Sequence, residues 1–100
     1  MAKEIFLTPR AEQNFVKIIE YLKSEWGPTV TNNFIDRFEQ VLTLLGEDPG
    51  MFQFADRAKR IQKCIVTKHN ILYFKEFKDL IKIITIFDTR QDPEKLTKII

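Results

Sequence analysis

The side chains that could hold or move charge crowd into one stretch of the chain. Between Arg57 and Lys82 stand eight Lys or Arg against two acids, Glu76 and Asp79, whereas Met1 to Asp56 carries five bases against nine acids. A formal charge of +2 therefore conceals a part at −4 and a part at +6. Positive charge displayed on a firm element implies an anionic partner, a phosphate or an acidic protein segment. Arg60, Lys63 and Lys68, with Arg90 beyond the stretch, are the cations that could converge if Arg90 ends a strand beside the one that starts at Arg60. His69, the only histidine, adjoins Lys68 and is a candidate base or phosphate contact. Arg60, Lys63, Lys68, His69 and Arg90 form the candidate set for contact with a phosphate or a target.

Each of these residues has a plainer role as well. Lys and Arg on a solvated sheet face are ordinary, and His69 reads first as a solvated turn residue. Tyr73, between Leu72 and Phe74, reads as core or groove lining whose phenol needs a partner if buried. Glu47, Asp48 and Asp56 are loop acids first and a carboxylate base second. Cys64 stands alone among Ile61, Ile65 and Val66 and fits a reduced core thiol. One His and one Cys do not make a transition-metal site within a single chain. No cofactor is expected.

The elements that must position these groups follow from periodicity and caps. Ile5 to Leu7 is a short apolar run that stops at Thr8-Pro9, a helix N-cap followed by proline at the first helical position. Ala11, Phe15, Ile18, Ile19 and Leu22 then recur at helical spacing. Trp26-Gly27-Pro28 ends that helix. A second helix starts near Thr29 with the stripe Phe34, Phe38, Val41 and Leu45, widened by Ile35 and Leu42, and stops at Gly46 and Pro49-Gly50. The two should pack as an antiparallel pair.

Met51 to Lys59 reads as a loop or a partly formed strand. Three β-rich runs follow, Arg60 to Thr67, Ile71 to Phe77 and Leu80 to Phe87, joined by the short polar connectors Lys68-His69-Asn70 and Lys78-Asp79. They imply an antiparallel meander. The last run, LIKIITIF, is apolar almost throughout and reads as a strand buried on both sides in the middle of the sheet. Strand, helix, helix and three strands make an α+β domain: one sheet, joined by the N-terminal strand, with the helical hairpin on one face. The closing RQDPEKLTKII opens with a turn. Its Leu96, Ile99 and Ile100 either pack on the sheet or belong to a partner surface.

One hundred residues with 44% hydrophobic content describe one domain, residues 1–100. No apolar run approaches the roughly 20 residues of a membrane helix, and the charged start MAKEIFLTPR lacks a secretory apolar region. No membrane partner and a cytoplasmic location are expected.

The element order resembles the RelE/ParE superfamily of bacterial toxins from type II toxin–antitoxin modules, also known as plasmid stabilisation proteins. Three patterns carry the likeness: a strand running into a helix that ends in Trp26-Gly27, the strand pair built around Arg60 and the KHNILYF segment, and the last strand closing on Arg90-Gln91-Asp92-Pro93. The resemblance implies a growth-arresting protein held inactive by an acidic antitoxin, in a complex that could be a heterotetramer, or a homodimer when free. RelE-like members cut mRNA on the ribosome without a metal; ParE-like members inhibit DNA gyrase. Cleavage needs a base for the 2′-OH, an acid for the leaving oxygen and cations for the phosphate. RelE-like nucleases place a Tyr or His-Tyr pair after the last strand, and here no Tyr or His follows Tyr73. The ParE-like branch is therefore favoured, with ribosome-dependent endoribonuclease as the alternative and an inactive or orphan toxin-fold binding protein as a third reading. Arg90 matches the family's strand-end arginine.

For a partner, complementary charge speeds encounter and apolar anchors hold the complex. Tyr21, Trp26 and Phe52, read as exposed, together with Leu96 and Ile99, are the candidate partner-binding residues. A plain nucleic-acid-binding module would explain the basic sheet but not the acidic helical part, and no groove-reading helix is visible.

Overall fold

Thr8 turns strand into helix with three hydrogen bonds. Its hydroxyl accepts from the Ala11 amide at 3.1 Å and donates to the Ile84 carbonyl at 2.9 Å, while its own amide donates to the Ile83 carbonyl at 3.1 Å. The cap therefore fixes the first helix to the sheet it will cover. The computed structural model describes residues 2–100, and the elements are β1 (Glu4–Leu7), α1 (Pro9–Trp26), α2 (Pro28–Glu47), a short 3-10 turn (Pro49–Met51), β2 (Phe54–Asp56), β3 (Ile61–Thr67), β4 (Asn70–Glu76), β5 (Leu80–Asp88) and α3 (Pro93–Ile99).

A single residue separates α1 from α2. Gly27 has φ +84, a left-handed conformation in which a side chain would be strained. Its amide donates to the Leu22 carbonyl at 3.0 Å and its carbonyl accepts from the Thr31 hydroxyl at 2.8 Å, so it caps both helices. The pair then packs antiparallel, and the Phe15 ring lies 4.7 Å from Phe38 and 6.1 Å from Phe34.

The five strands lie in the order β1-β5-β4-β3-β2, with β1 parallel to β5 and the remaining pairs antiparallel. This is the expected α+β arrangement, with one correction. The expected middle strand, β5, is second from the edge, and β4 holds the centre, because β2 forms on the far side of β3 from the segment read as loop or partial strand. What makes β5 apolar is cover on both faces. Ile81, Ile83 and Ile86 face the helical pair with Leu72, Phe74, Phe38, Val41 and Leu45. On the opposite face Phe87 joins Ile61 and Tyr73, and Ile71, Ile84, Leu96, Ile99 and Ile100 pack around them. The closing segment thus becomes α3, lying on the sheet. Its N-cap is Asp92, whose carboxylate accepts from the Glu94 amide at 3.0 Å.

Two details set the register. Tyr73 pairs with Thr85 and Phe74 with Ile83, which leaves Ile84 bulged out of the ladder. Gln62, buried in β3, donates from Nε2 to the carbonyls of Pro49 at 2.8 Å and Phe52 at 2.9 Å, tying down the turn that precedes β2. Among the described residues no helix is long and apolar enough to cross a membrane.

Candidate anion-binding face

Strand direction decides which cations can meet. In a meander, alternate strands run the same way, so the start of β3 and the end of β5 lie at opposite ends of the sheet. Arg60 precedes Ile61, which pairs with Lys75. Arg90 follows β5 beside the Lys68-His69 turn, where the Thr89 amide donates to the His69 carbonyl at 2.9 Å and the Thr89 hydroxyl to that of Lys68 at 3.3 Å. The expected convergence of Arg60, Lys63, Lys68 and Arg90 is therefore corrected: β5 is not central, Arg90 stands beyond it, and the set divides. Lys68, His69 and Arg90 lie at one end and Arg60 at the other. Lys63 is in mid-strand opposite Tyr73, lining a groove with Arg37, Met51, Phe52 and Cys64.

At the Arg90 end the arginine's own charge is already used. Arg90 Nε and Nη2 donate to the two oxygens of Asp88 at 3.0 and 2.8 Å, and its amide reaches the same carboxylate at 2.9 Å. That bidentate grip holds the Asp88 carboxyl below its ordinary value, with His69 nearby adding to the effect. Asn14, Lys17, Tyr21 and Asn70 line the cleft around the pair. Arg60 has φ 60, uncommon outside glycine, and its amide closes the turn by donating to the Arg57 carbonyl at 3.1 Å.

A second cleft, at the other end of the sheet, brings together cations the sequence reading did not select. Arg10, Lys59, Lys75 and Lys82 line it, with Thr8 and Pro9, around a floor of Ile61, Ile84, Ile99 and Ile100. Lys75 and Lys82 are directly opposite each other in the ladder. The ion pairs among the described residues are Lys3–Glu76 and Arg90–Asp88, so Arg10, Lys75 and Lys82 of this cleft have no carboxylate partner among them. Lys59 Nζ donates to the Ile100 main-chain oxygen at 3.0 Å. A signal for the lysine pair was present: both stand three residues from the Lys78-Asp79 connector, and two arms of a hairpin bring such positions face to face.

The remaining candidates have structural partners. Tyr73 is buried beside Ile61 and Phe87, which pushes its phenol pKa up. Asp56 accepts the Lys59 amide at 3.1 Å, a turn contact. Asp48 closes the 3-10 turn through its carbonyl, which accepts the Met51 amide at 3.3 Å, and Glu47 ends α2 on the surface. Cys64 is buried, and burial raises its thiol. Tyr21 and Trp26 are exposed, Trp26 by 65% at the corner of the helical hairpin. Phe52, expected to be exposed, is corrected: it is half-buried with its ring edge-on to Phe74 at 6.0 Å. Leu96 and Ile99 are half-buried over the sheet.

The sequence profile described as "ParE toxin of type II toxin-antitoxin system, parDE" matches residues 5–93. The chain belongs to the ParE toxin family. The ParE region takes in both long helices and every strand but for Glu4 at the start of β1, and it ends at Pro93, so Leu96, Ile99 and Ile100 lie outside it while Arg10, Lys59, Lys75 and Lys82 lie within. The ParE fold is seen again in a chain of the chromosomal ParDE TA system from P. aeruginosa, at TM-score 0.73 and 11% identity over 87% of this chain and 96% of that one. A YoeB dimer structure from Staphylococcus aureus gives TM-score 0.62 and 10% identity over 87% and 97%. A copper-bound mutant toxin from Helicobacter pylori gives 0.56 and 20% over 90% and 97%. No curated protein sequence matches the chain.

Proposed function

We propose that this ParE family member arrests growth by binding DNA gyrase, without cutting a bond itself, and that an acidic antitoxin holds it inactive. The observation that carries this reading is the lining of the cleft at the Lys75–Lys82 end: four cations around aliphatic side chains. Such a lining can hold an anionic surface, but strand cleavage also needs a base and an acid within reach of the phosphate. The groups that could serve are elsewhere or engaged. His69 stands at the opposite end of the sheet, Tyr73 is buried with its proton held more tightly, and Asp88 is gripped by Arg90. An inhibitor that works by occupancy needs none of them.

An antitoxin fits the same charge distribution. An acidic segment would be drawn to the +6 part, and the exposed rings of Tyr21 and Trp26 offer apolar anchors on the helical pair. The solved relatives include a heterotetrameric YoeB–YefM complex from Staphylococcus aureus, which supports looking for a complex of that composition here.

The deciding experiment places purified protein in two assays side by side, gyrase with supercoiled DNA and programmed ribosomes with mRNA. Linear DNA trapped with gyrase, with intact mRNA, is the expected result. Ribosome-dependent mRNA cutting that Tyr73→Phe abolishes would overturn the binding reading in favour of endoribonuclease. Silence in both assays would point to an inactive toxin-fold binding protein.

A further inference from the structure

The sheet end that carries the open cleft also exposes two aromatic rings in line with it. Across the strands runs one rung of paired residues: Phe6 on β1 opposite Lys82, Lys82 opposite Lys75, and Lys75 opposite Ile61. Residues paired in this way project from the same face of a sheet. Phe6 is 49% exposed, and Phe77, just past the end of β4, is 44% exposed. The two rings line one shallow hollow with Lys78, Asp79, Leu80 and Lys82, and Lys82 belongs also to the cleft of Arg10, Lys59 and Lys75. Lys75 Nζ lies 5.8 Å from the centre of the Phe77 ring, so cation and aromatic surfaces are continuous.

Each half of this track is costly in the protein alone. Lysines opposite one another repel, and open phenylalanine rings keep apolar surface in water. A partner that relieves both must offer repeated negative charge and flat apolar faces within one polymer. An unpaired nucleic-acid strand does so: its phosphates meet a basic groove and its bases stack on exposed rings. A duplex hides its bases, and an acidic peptide lacks regularly spaced flat faces.

We propose that the Phe6–Phe77 and Lys82–Lys75–Lys59–Arg10 surface, at the end of the sheet beside Ile99 and Ile100, binds single-stranded nucleic acid. The inference stands apart from the gyrase reading, since it concerns direct binding by the purified chain.

The test is fluorescence anisotropy with labelled 12-nucleotide oligo-dT and oligo-U, a 12-base-pair duplex, and polyglutamate as competitor. Both single strands should bind more tightly than the duplex. Four phosphate contacts on a single strand give a slope of log K against log salt near −3, or about a 50-fold loss of affinity between 50 and 200 mM salt. Lys75→Ala with Lys82→Ala should bring the slope nearer to about −1.5. Phe6→Leu and Phe77→Leu keep the apolar volume but remove the stacking plane, and each should weaken binding by about fivefold or more. Circular dichroism confirms that these surface variants fold. Equal binding of oligo-dT and oligo-U means the sugar is not read, and a tenfold preference for oligo-U identifies RNA; both outcomes support the proposal. It is overturned if no salt-dependent binding occurs at 50 mM salt, if the duplex binds as well as the strands and the Leu variants change nothing, or if polyglutamate displaces oligo-dT at lower charge concentration. None of these results depends on gyrase, whose cleavage assay tests the other reading by itself.

Discussion

At one end of the sheet Arg90 grips both oxygens of Asp88, the shorter contact being 2.8 Å, while at the other Lys75 and Lys82 face each other with Arg10 close by, and none of these three has a carboxylate partner among the described residues. Both ends are basic in sequence, yet Arg90 is committed to a carboxylate while Lys75 and Lys82 are not. A cation held bidentately by its neighbour fixes a turn, whereas cations that repel one another in a shared cleft are positioned for something from outside. The number of bases in a segment says little until the pairing of each is known.

The comparison can be broken most severely at the strand both ends share. Phe74 is fully buried in the centre of β4, and Phe74→Ala should cost about 3–5 kcal/mol, a large part of the roughly 5–15 kcal/mol that holds a domain together. A single urea transition moved to lower denaturant is expected. Two separate transitions would show that the ends are independent bodies, and contrasting them within one sheet would lose its meaning.

Arg60 tests whether a charged residue at the open end serves the turn or the surface. Its φ of 60 is strained for a side-chain-bearing residue, and Arg60→Gly should stabilise by about 0.5–1 kcal/mol, read by thermal melting. Growth arrest that survives the change assigns Arg60 to the turn; loss of arrest in the stabilised variant returns it to the functional set.

Lys75→Glu sharpens the contrast by moving stability and activity in opposite directions. It converts a like-charge cross-strand pair into an opposite-charge one, worth about 0.5 kcal/mol of added stability, and should weaken growth arrest in a plating assay. If arrest is untouched, the open cations are not the working surface.

The smallest effect belongs to the closed end. Asp88 has its folded pKa depressed below the ordinary 3.8, so the stability it contributes is present above that value and is lost as pH falls toward the folded one. Asp88→Asn should therefore melt slightly below wild type at pH 7, and the gap should narrow and then close as pH falls below 3.8 and through the depressed folded value. A gap that persists in strong acid would mean that the Asp88–Arg90 pair is not its source.

Much of the fold could be read before the structure because its signals are local. Thr8-Pro9, Gly27-Pro28 and the stripe from Phe34 to Leu45 act within a few residues of themselves, and each element starts or stops within about a turn of where they place it. The site was less legible. Residue type alone suggests that Arg60 and Arg90 are neighbours, whereas the meander sets them apart, a consequence of strand direction. Phe52 looked like an exposed ring until Gln62 tied its loop down over Phe74.

By itself the sequence determined the α+β order of elements, the two helices with their apolar faces and the concentration of positive charge after Arg57, because caps, periodicity and composition depend on near neighbours. Only the tertiary structure decided that β4 is central, that Ile84 bulges, that Leu96 and Ile99 cover the sheet and that Lys75 and Lys82 meet while Arg90 is neutralised. These are matters of register and strand order, set by how the whole chain buries its apolar surface, and a shift of one residue would turn each side chain to the other face.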